Sequence, residues 1–278
     1  MPLDGYLISG LQGRLMVVTG ASSGIGAAAA ALLMAQGAQV IALDIRPSPN
    51  ADLRYVRCDL ADPGSLRQAL AALPATVDGL VNAAGLPGTH DGELVFKVNF
   101  LGLRELTESL LPRLPTGGSV VHVASTAGSQ WAQRLPELRR LLDAATFADG
   151  LTWFRAGSCA EVPAYNLAKE AVCVYTMARA QDAARAGVVM NAVSPGPVQT
   201  PILPDFIASM GADRIAWARD VAGRYGQPAD IAPVIAFLLS PAAGWIRGAN
   251  VIADGGVSAA VLSGAAVPPQ SIPAPAAR

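Results

Sequence analysis

RLMVVTGASSGIGAAAAALLMAQG, residues 14–37, decides the fold. A short apolar, β-branched run (14–20) passes through a glycine-rich turn directly into an Ala-rich helical stretch (25–37) closed by Gly37. Within TGASSGIG (19–26), Gly20 permits the sharp turn and Gly24 lets backbone approach a pyrophosphate. Gly26 lets the helix sit close to the strand, and the helix N-terminus offers N–H groups to phosphate. The turn residues Ser22, Ser23 and Ile25 complete this candidate cradle. The spacing is G-x-x-x-G-x-G rather than G-x-G-x-x-G, so the turn alone leaves open a loop that binds nothing.

Working outward, the pattern repeats. QVIALD (39–44), LRYVRCD (53–59), DGLVNAAG (78–85), SVVHVAS (119–125), VVMNAVSPG (188–196) and NVIADGG (250–256) read as six further strands. KVNFLGLRELTESLLPRL (97–114), with Pro112 near its end, and AYNLAKEAVCVYTMARAQDAARAG (164–187) read as long helices. Strands alternating with helices predict an α/β fold, a doubly wound parallel sheet in one domain, with no repeat and no linker. Residues 263–278 are rich in Ala and Pro and are expected to be a disordered tail.

Composition narrows the chemistry. At 52% hydrophobic and 15% charged, the 278 residues can bury a sizeable core. A net charge of −1 carries no footprint for nucleic acid. Cys58, Cys159 and Cys173 are scattered without metal-ligand spacing, which predicts buried reduced thiols and no metal. No signal-peptide pattern opens the sequence, and apolar runs such as AAAAALLMA (27–35) are too short for a bilayer. The expectation is a cytoplasmic protein, without membrane partners, acting on small molecules.

Asp44 ends the second strand, where a carboxylate accepts hydrogen bonds from ribose hydroxyls and repels a 2′-phosphate, favouring NAD over NADP. Arg46 nearby weakens that exclusion. Asp59, followed by Leu60, ends the third strand and could face an adenine amino group, or be an ordinary strand-end carboxylate. Tyr165 and Lys169 are four apart on a helix and share a face, so an ammonium beside the phenol would lower its pKa and suit it to proton transfer. Alone, such a pair is common on helices and is usually a surface pair.

Taken in order, TGASSGIG, Asp44, NAAG (82–85), Asn99 in KVNFLG, Ser125 in VASTAG, YNLAK (165–169) and SPGPVQTP (194–201) resemble the short-chain dehydrogenase/reductase family from about residue 12 to 262. The resemblance implies a Rossmann-type sheet of seven strands and a catalytic tetrad. Tyr165 would exchange a proton with the substrate oxygen, and Ser125 would position that oxygen. Lys169 would depress the tyrosine pKa and hold the nicotinamide ribose, while Asn99 would fix the helix and a proton-relaying water. Pro195 and Gly196 would flank the nicotinamide, Val198 and Thr200 its carboxamide, and Asn82 would support the sheet centre and the adenosine side. His122 stands where the family more often has asparagine, and reads as a satisfied core residue rather than a ligand.

One departure narrows the resemblance. The family places its serine much closer before its tyrosine; here residues of about 129–161 intervene as a helical insertion. Trp131, Leu135, Leu138, Leu142 and Ala145 recur on one helical face, with Arg134, Arg139, Arg140 and Asp143 off it, and Pro136 suits a first turn. Trp153 and Phe154 follow. The insertion, with TPILPDFIASMG and WIRGANVIADGG, resembles the branch acting on coniferyl-type alcohols and, as carbonyl reductases, on 3α-hydroxysteroids. It would roof an apolar pocket with Trp131, Trp153 and Phe154, cover the helix face (97–114 and 164–186) that family members use to dimerise, do both, or be a helix with no bearing on either. The implied activity is NAD-dependent hydride transfer between a small hydrophobic alcohol or carbonyl compound and the cofactor, in a homodimer or homotetramer. A non-catalytic NAD(H)-binding regulator is the alternative of another class.

Overall fold

The computed structural model describes residues 8–269. Seven strands form one parallel sheet: β1 (Leu15–Thr19), β2 (Gln39–Asp44), β3 (Arg54–Arg57), β4 (Gly79–Asn82), β5 (Ser119–Val123), β6 (Val189–Pro195) and β7 (Asn250–Ala253). Their order is β3-β2-β1-β4-β5-β6-β7. The order reverses between β1 and β4, and a crevice opens beyond the carboxyl ends of the strands at that point.

Alternation along each strand builds the two layers. Met16, Val18, Val81, Val121 and Val193 face one side, packed with α1 (Gly24–Ala35). Val17, Leu80, Val120 and Met190 face the other, packed with α2 (Pro63–Ala72). The segment expected as one helix over 97–114 is composite: α3 (Gly92–Phe96) leads into a π-helical Lys97–Gly102, then α4 (Leu103–Leu110) and a 3₁₀ turn, Leu111–Arg113, that contains Pro112.

The insertion forms a 3₁₀ turn at Trp131–Arg134, then α5 (Leu135–Leu142) and α6 (Phe147–Arg155). Pro136 sits in the first turn of α5, as expected. The stripe differs from the expected one, because Leu138 and Leu141 are the buried pair and α5 stops before Ala145. The stop has a local cause: Thr146 and Asp149 form a capping box that starts α6. The long helix that carries Tyr165 and Lys169 follows as α7 (Ala164–Arg185). Leu138 and Leu141 pack with Phe96, Phe100, Leu167 and Val172, so the insertion lies over the face shared by α4 and α7. Trp153 and Phe154 stack on Phe96, with centroids 6.3 and 4.4 Å away, and do not reach the crevice.

After β6 come α8 (Leu203–Met210) and α9 (Ala212–Ala222), then α10 (Pro228–Leu239), which packs on α1. α11 (Val257–Leu262) follows β7. Of the expected disordered tail, residues 263–269 are described: Ala266 N donates to Ala260 O at 3.0 Å. The remainder, 270–278, lies outside the described residues. Among the described residues no helix is long and apolar enough to cross a membrane, and no cluster of His, Cys, Asp or Glu is arranged for a metal.

Candidate active site

The crevice at the switch point is a cavity of about 880 Å³. At one end it is lined by Asp44, Cys58, Asp59 and Leu60, and at the other by Ser125, Trp131 and Tyr165. The glycine turn forms the floor between them. Gly20 adopts φ +68°, a left-handed conformation only glycine holds without strain. A Cβ on Gly26 would lie 2.3 Å from the Gly20 carbonyl oxygen, so the close approach of α1 to β1 needs glycine there. Ser23 at the N-cap makes no side-chain cap hydrogen bond, and the opening turn of α1 faces the cavity with Gly24, Ile25 and Gly26. This is a cradle suited to a pyrophosphate.

Asp44 presents its carboxylate at the rim. Its two oxygens accept from Ser22 N and Arg46 N, each at 3.1 Å, which fixes its orientation. Ser22 itself points away from the cavity and donates from Oγ to the Arg46 carbonyl at 2.6 Å, so it acts on the site only through that turn. Pro195, Gly196, Val198 and Thr200 line the cavity. Thr200 meets the glycine turn across it: a Cβ on Gly24 would lie 3.2 Å from Thr200 Cγ2.

Two expected positions stand behind the wall. Asn82 is turned into the sheet, donating from Nδ2 to Thr107 Oγ1 at 2.9 Å and pairing with His122 Nδ1 at 3.0 Å. It supports the sheet centre but does not face the adenosine end. His122 is a core residue, but not a fully satisfied one: its Nε2 and Asn82 Oδ1 have no partner among the described residues. Burial lowers the His122 pKa to about 3, with the charge of Lys169 adding to the effect. Asn99 is fully buried in the π-helical turn and also off the cavity wall. Its amide accepts from Leu86 N at 2.7 Å and donates to Leu86 O at 2.9 Å, holding the loop that does line the cavity.

Ser125, Tyr165 and Lys169 converge on the cavity although Ser125 precedes the insertion and the other two follow it. Ser125 caps a 3₁₀ turn, its Oγ accepting from Ala127 N at 3.1 Å, and its hydroxyl stands close enough to the Tyr165 phenol to hold that group's pKa down. Lys169 donates from Nζ to the Val123 carbonyl at 2.7 Å. The expected lowering of the tyrosine pKa is reversed in this structure. Burial pushes the phenol up to about 12, only partly opposed by Ser125. Burial also pushes the Lys169 ammonium down, to about 8. Desolvation sets both directions because both groups sit almost wholly out of water.

The substrate side of the cavity was not legible from motifs. Phe206 and Met210 come from α8, Trp217 from α9, and Val257 and Val261 from α11. The Phe206 ring stands edge-on to Tyr165, with centroids 5.0 Å apart. The apolar spacing of Leu203, Phe206 and Met210 marks a helical face, but it does not say what that face covers.

Comparison with known proteins agrees with this geometry. A family model described as short chain dehydrogenase matches residues 14–136, and one described as enoyl-(acyl carrier protein) reductase matches 153–258. Residues 137–152, matched by neither, fall within the insertion. The chain is 41% identical to coniferyl-alcohol dehydrogenase of Pseudomonas sp. (strain HR199 / DSM 7063), covering 89% of this chain and 98% of that protein. It is 34% identical to 3-alpha-hydroxysteroid dehydrogenase/carbonyl reductase of Comamonas testosteroni, covering 88% and 96%. The crystal structure of 3-alpha-hydroxysteroid dehydrogenase from Pseudomonas sp. B-0831 complexed with NADH superposes with a TM-score of 0.74 at 33% identity, over 91% of this chain and 100% of that one.

Proposed function

Since the chain belongs to the short-chain dehydrogenase/reductase family and is an oxidoreductase of that family, we propose that it oxidises a hydrophobic, aryl-allylic alcohol of the coniferyl type with NAD. The observation that carries the reading is the meeting of Ser125, Tyr165 and Lys169 at one end of a cavity whose other end holds Asp44. NAD, when bound, supplies the hydride acceptor. The glycine turn and the α1 N-terminus would hold its pyrophosphate, and Asp44 its adenosine ribose.

The chain's own residues do the proton chemistry. Ser125 donates to the substrate oxygen and keeps it beside the phenol as carbonyl character develops. Tyr165, as phenolate, takes the hydroxyl proton while the carbon's hydrogen leaves as hydride. Lys169 supplies positive charge that favours that phenolate, and Asn99, by holding Leu86, keeps the cavity wall in place. The apolar walls from Trp131, Phe206 and Trp217 exclude water and suit a ring-bearing substrate.

A 3α-hydroxysteroid is the second reading, supported by the 33% identical NADH-bound structure. Absorbance of NADH formed with cinnamyl-type alcohols and 3α-hydroxysteroids, under NAD⁺ and NADP⁺, tests both. Turnover with neither, alongside tight NADH binding, would favour a regulator instead. We also propose a homodimer or homotetramer. The insertion occupies the α4–α7 face, whereas Phe237 and Trp245 are exposed elsewhere, Trp245 at 93%. Light scattering reads the assembly directly.

A further inference from the structure

The chain entering the insertion and the insertion's first turn touch α7 at two points beside Lys169. A Cβ on Gly128 would lie 2.7 Å from the carbonyl carbon and oxygen of Lys169 and 3.0 Å from Glu170 N, so backbone meets backbone there. Six residues on, Arg134 grips the neighbouring side chain. Its Nε donates to Glu170 Oε2 at 2.6 Å, and its Nη2 donates to Glu170 Oε1. The carboxylate is 1% exposed. Arg134 was expected off the packed stripe, yet it points inward to the only side chain that directly follows Lys169.

The same 3₁₀ turn, Trp131–Arg134, carries Trp131 into the cavity wall. Only two residues, Ala132 and Gln133, separate the grip from the wall, too short a span for Trp131 to move independently of Arg134. The paired fork is a rigid, two-point contact that a single hydrogen bond could not match.

We propose that the Arg134–Glu170 pair latches the insertion to the catalytic helix and thereby sets Trp131 as the specificity wall for flat, ring-bearing alcohols. Trp131 is the specificity-determining residue, and Arg134 is its positioning residue. The proposal rests on the alcohol dehydrogenase reading above and names the substrate feature that site selects.

The test uses the full chain with saturating NAD⁺, comparing cinnamyl alcohol with 1-butanol. Trp131→Ala is expected to raise KM for cinnamyl alcohol by about three- to tenfold, the size of an aromatic contact, and by a clearly larger factor than KM for butanol. Arg134→Ala is expected to produce the same selective rise, and Arg134→Lys to recover part of it. Combining Arg134→Ala with Trp131→Ala should add nothing to either alone, because both act through one contact. An equal fall in kcat on both alcohols, or multiplying effects in the double variant, would reduce the pair to a structural role and overturn the proposal. If Arg134→Ala does not fold, Arg134→Lys and Glu170→Gln carry the comparison. If the unaltered chain oxidises neither alcohol, the function reading fails separately. The latch is then read from amide hydrogen exchange over residues 129–142, which Arg134→Lys should accelerate and which, left unchanged, would overturn it.

Discussion

The ammonium of Lys169 stands 5.8 Å from the centroid of the Tyr165 ring, one helical turn along α7, while its Nζ donates to the Val123 carbonyl rather than to the phenol. The pair is therefore poised but not yet coupled by a hydrogen bond. Burial dominates both groups, raising the phenol and lowering the ammonium.

Tyr165→Phe keeps the ring packed on Phe206 and removes only the hydroxyl. We expect turnover to fall by about 10²–10⁴, the usual contribution of a general acid–base group. NADH affinity, measured by fluorescence titration, should be nearly unchanged. Full activity in this variant would sink the assignment of Tyr165.

Lys169 gives a stability signature on the alkaline side. Its folded pKa, about 8, is below the ordinary 10.5, so between those values the unfolded chain binds more protons. Stability from this group therefore rises as pH climbs from about 8 to 10.5. Lys169→Met should remove that rise in urea unfolding curves, and an unaltered slope would show that the lysine titrates normally.

His122 acts on the acid side. Its folded pKa of about 3 lies below the ordinary 6.5, so the unfolded chain takes up the proton first. The folded state loses stability as pH falls from 6.5 toward 3. His122→Asn removes the titrating group while leaving an oxygen able to accept from Asn82 Nδ2, and should flatten that limb relative to the parent.

Asp44 should govern dinucleotide choice. Its carboxylate is held at the cavity rim by two backbone N–H groups, and in the proposed binding mode a 2′-phosphate would meet it. Asp44→Ala should narrow the ratio of kcat/KM for NAD⁺ over NADP⁺ by roughly tenfold or more, given the strength of like-charge repulsion at contact. A parent that prefers NADP⁺ would show the reading of Asp44 to be wrong.

Gly26→Ala places a methyl 2.3 Å from the Gly20 carbonyl, where backbone on both sides leaves no side chain to move aside. We expect a loss of about 1–3 kcal/mol in denaturant unfolding, typical of overpacking. NADH affinity should fall with it, since the displaced turn is the proposed phosphate cradle.

The sequence by itself determined the features that depend on near neighbours. The strand–glycine–helix run at 14–37 could only close as it does because Gly20 and Gly26 satisfy a turn and an approach within one short loop. The alternation that sends Val17 and Val18 into opposite layers is likewise local, as is the helical spacing of Tyr165 and Lys169. Family resemblance extended this to Ser125, Asn99 and the loop from Pro195 to Thr200.

The tertiary structure alone decided whatever depends on distance between remote segments. It turned Asn82 toward His122 and Thr107 instead of the cavity, sent Arg134 inward to Glu170, and stacked Trp153 and Phe154 on Phe96 while Trp131 reached the site. It also reversed the direction of the Tyr165 pKa. A pKa is set by how much water burial removes and where charges stand in space, and a periodic pattern of residues records neither.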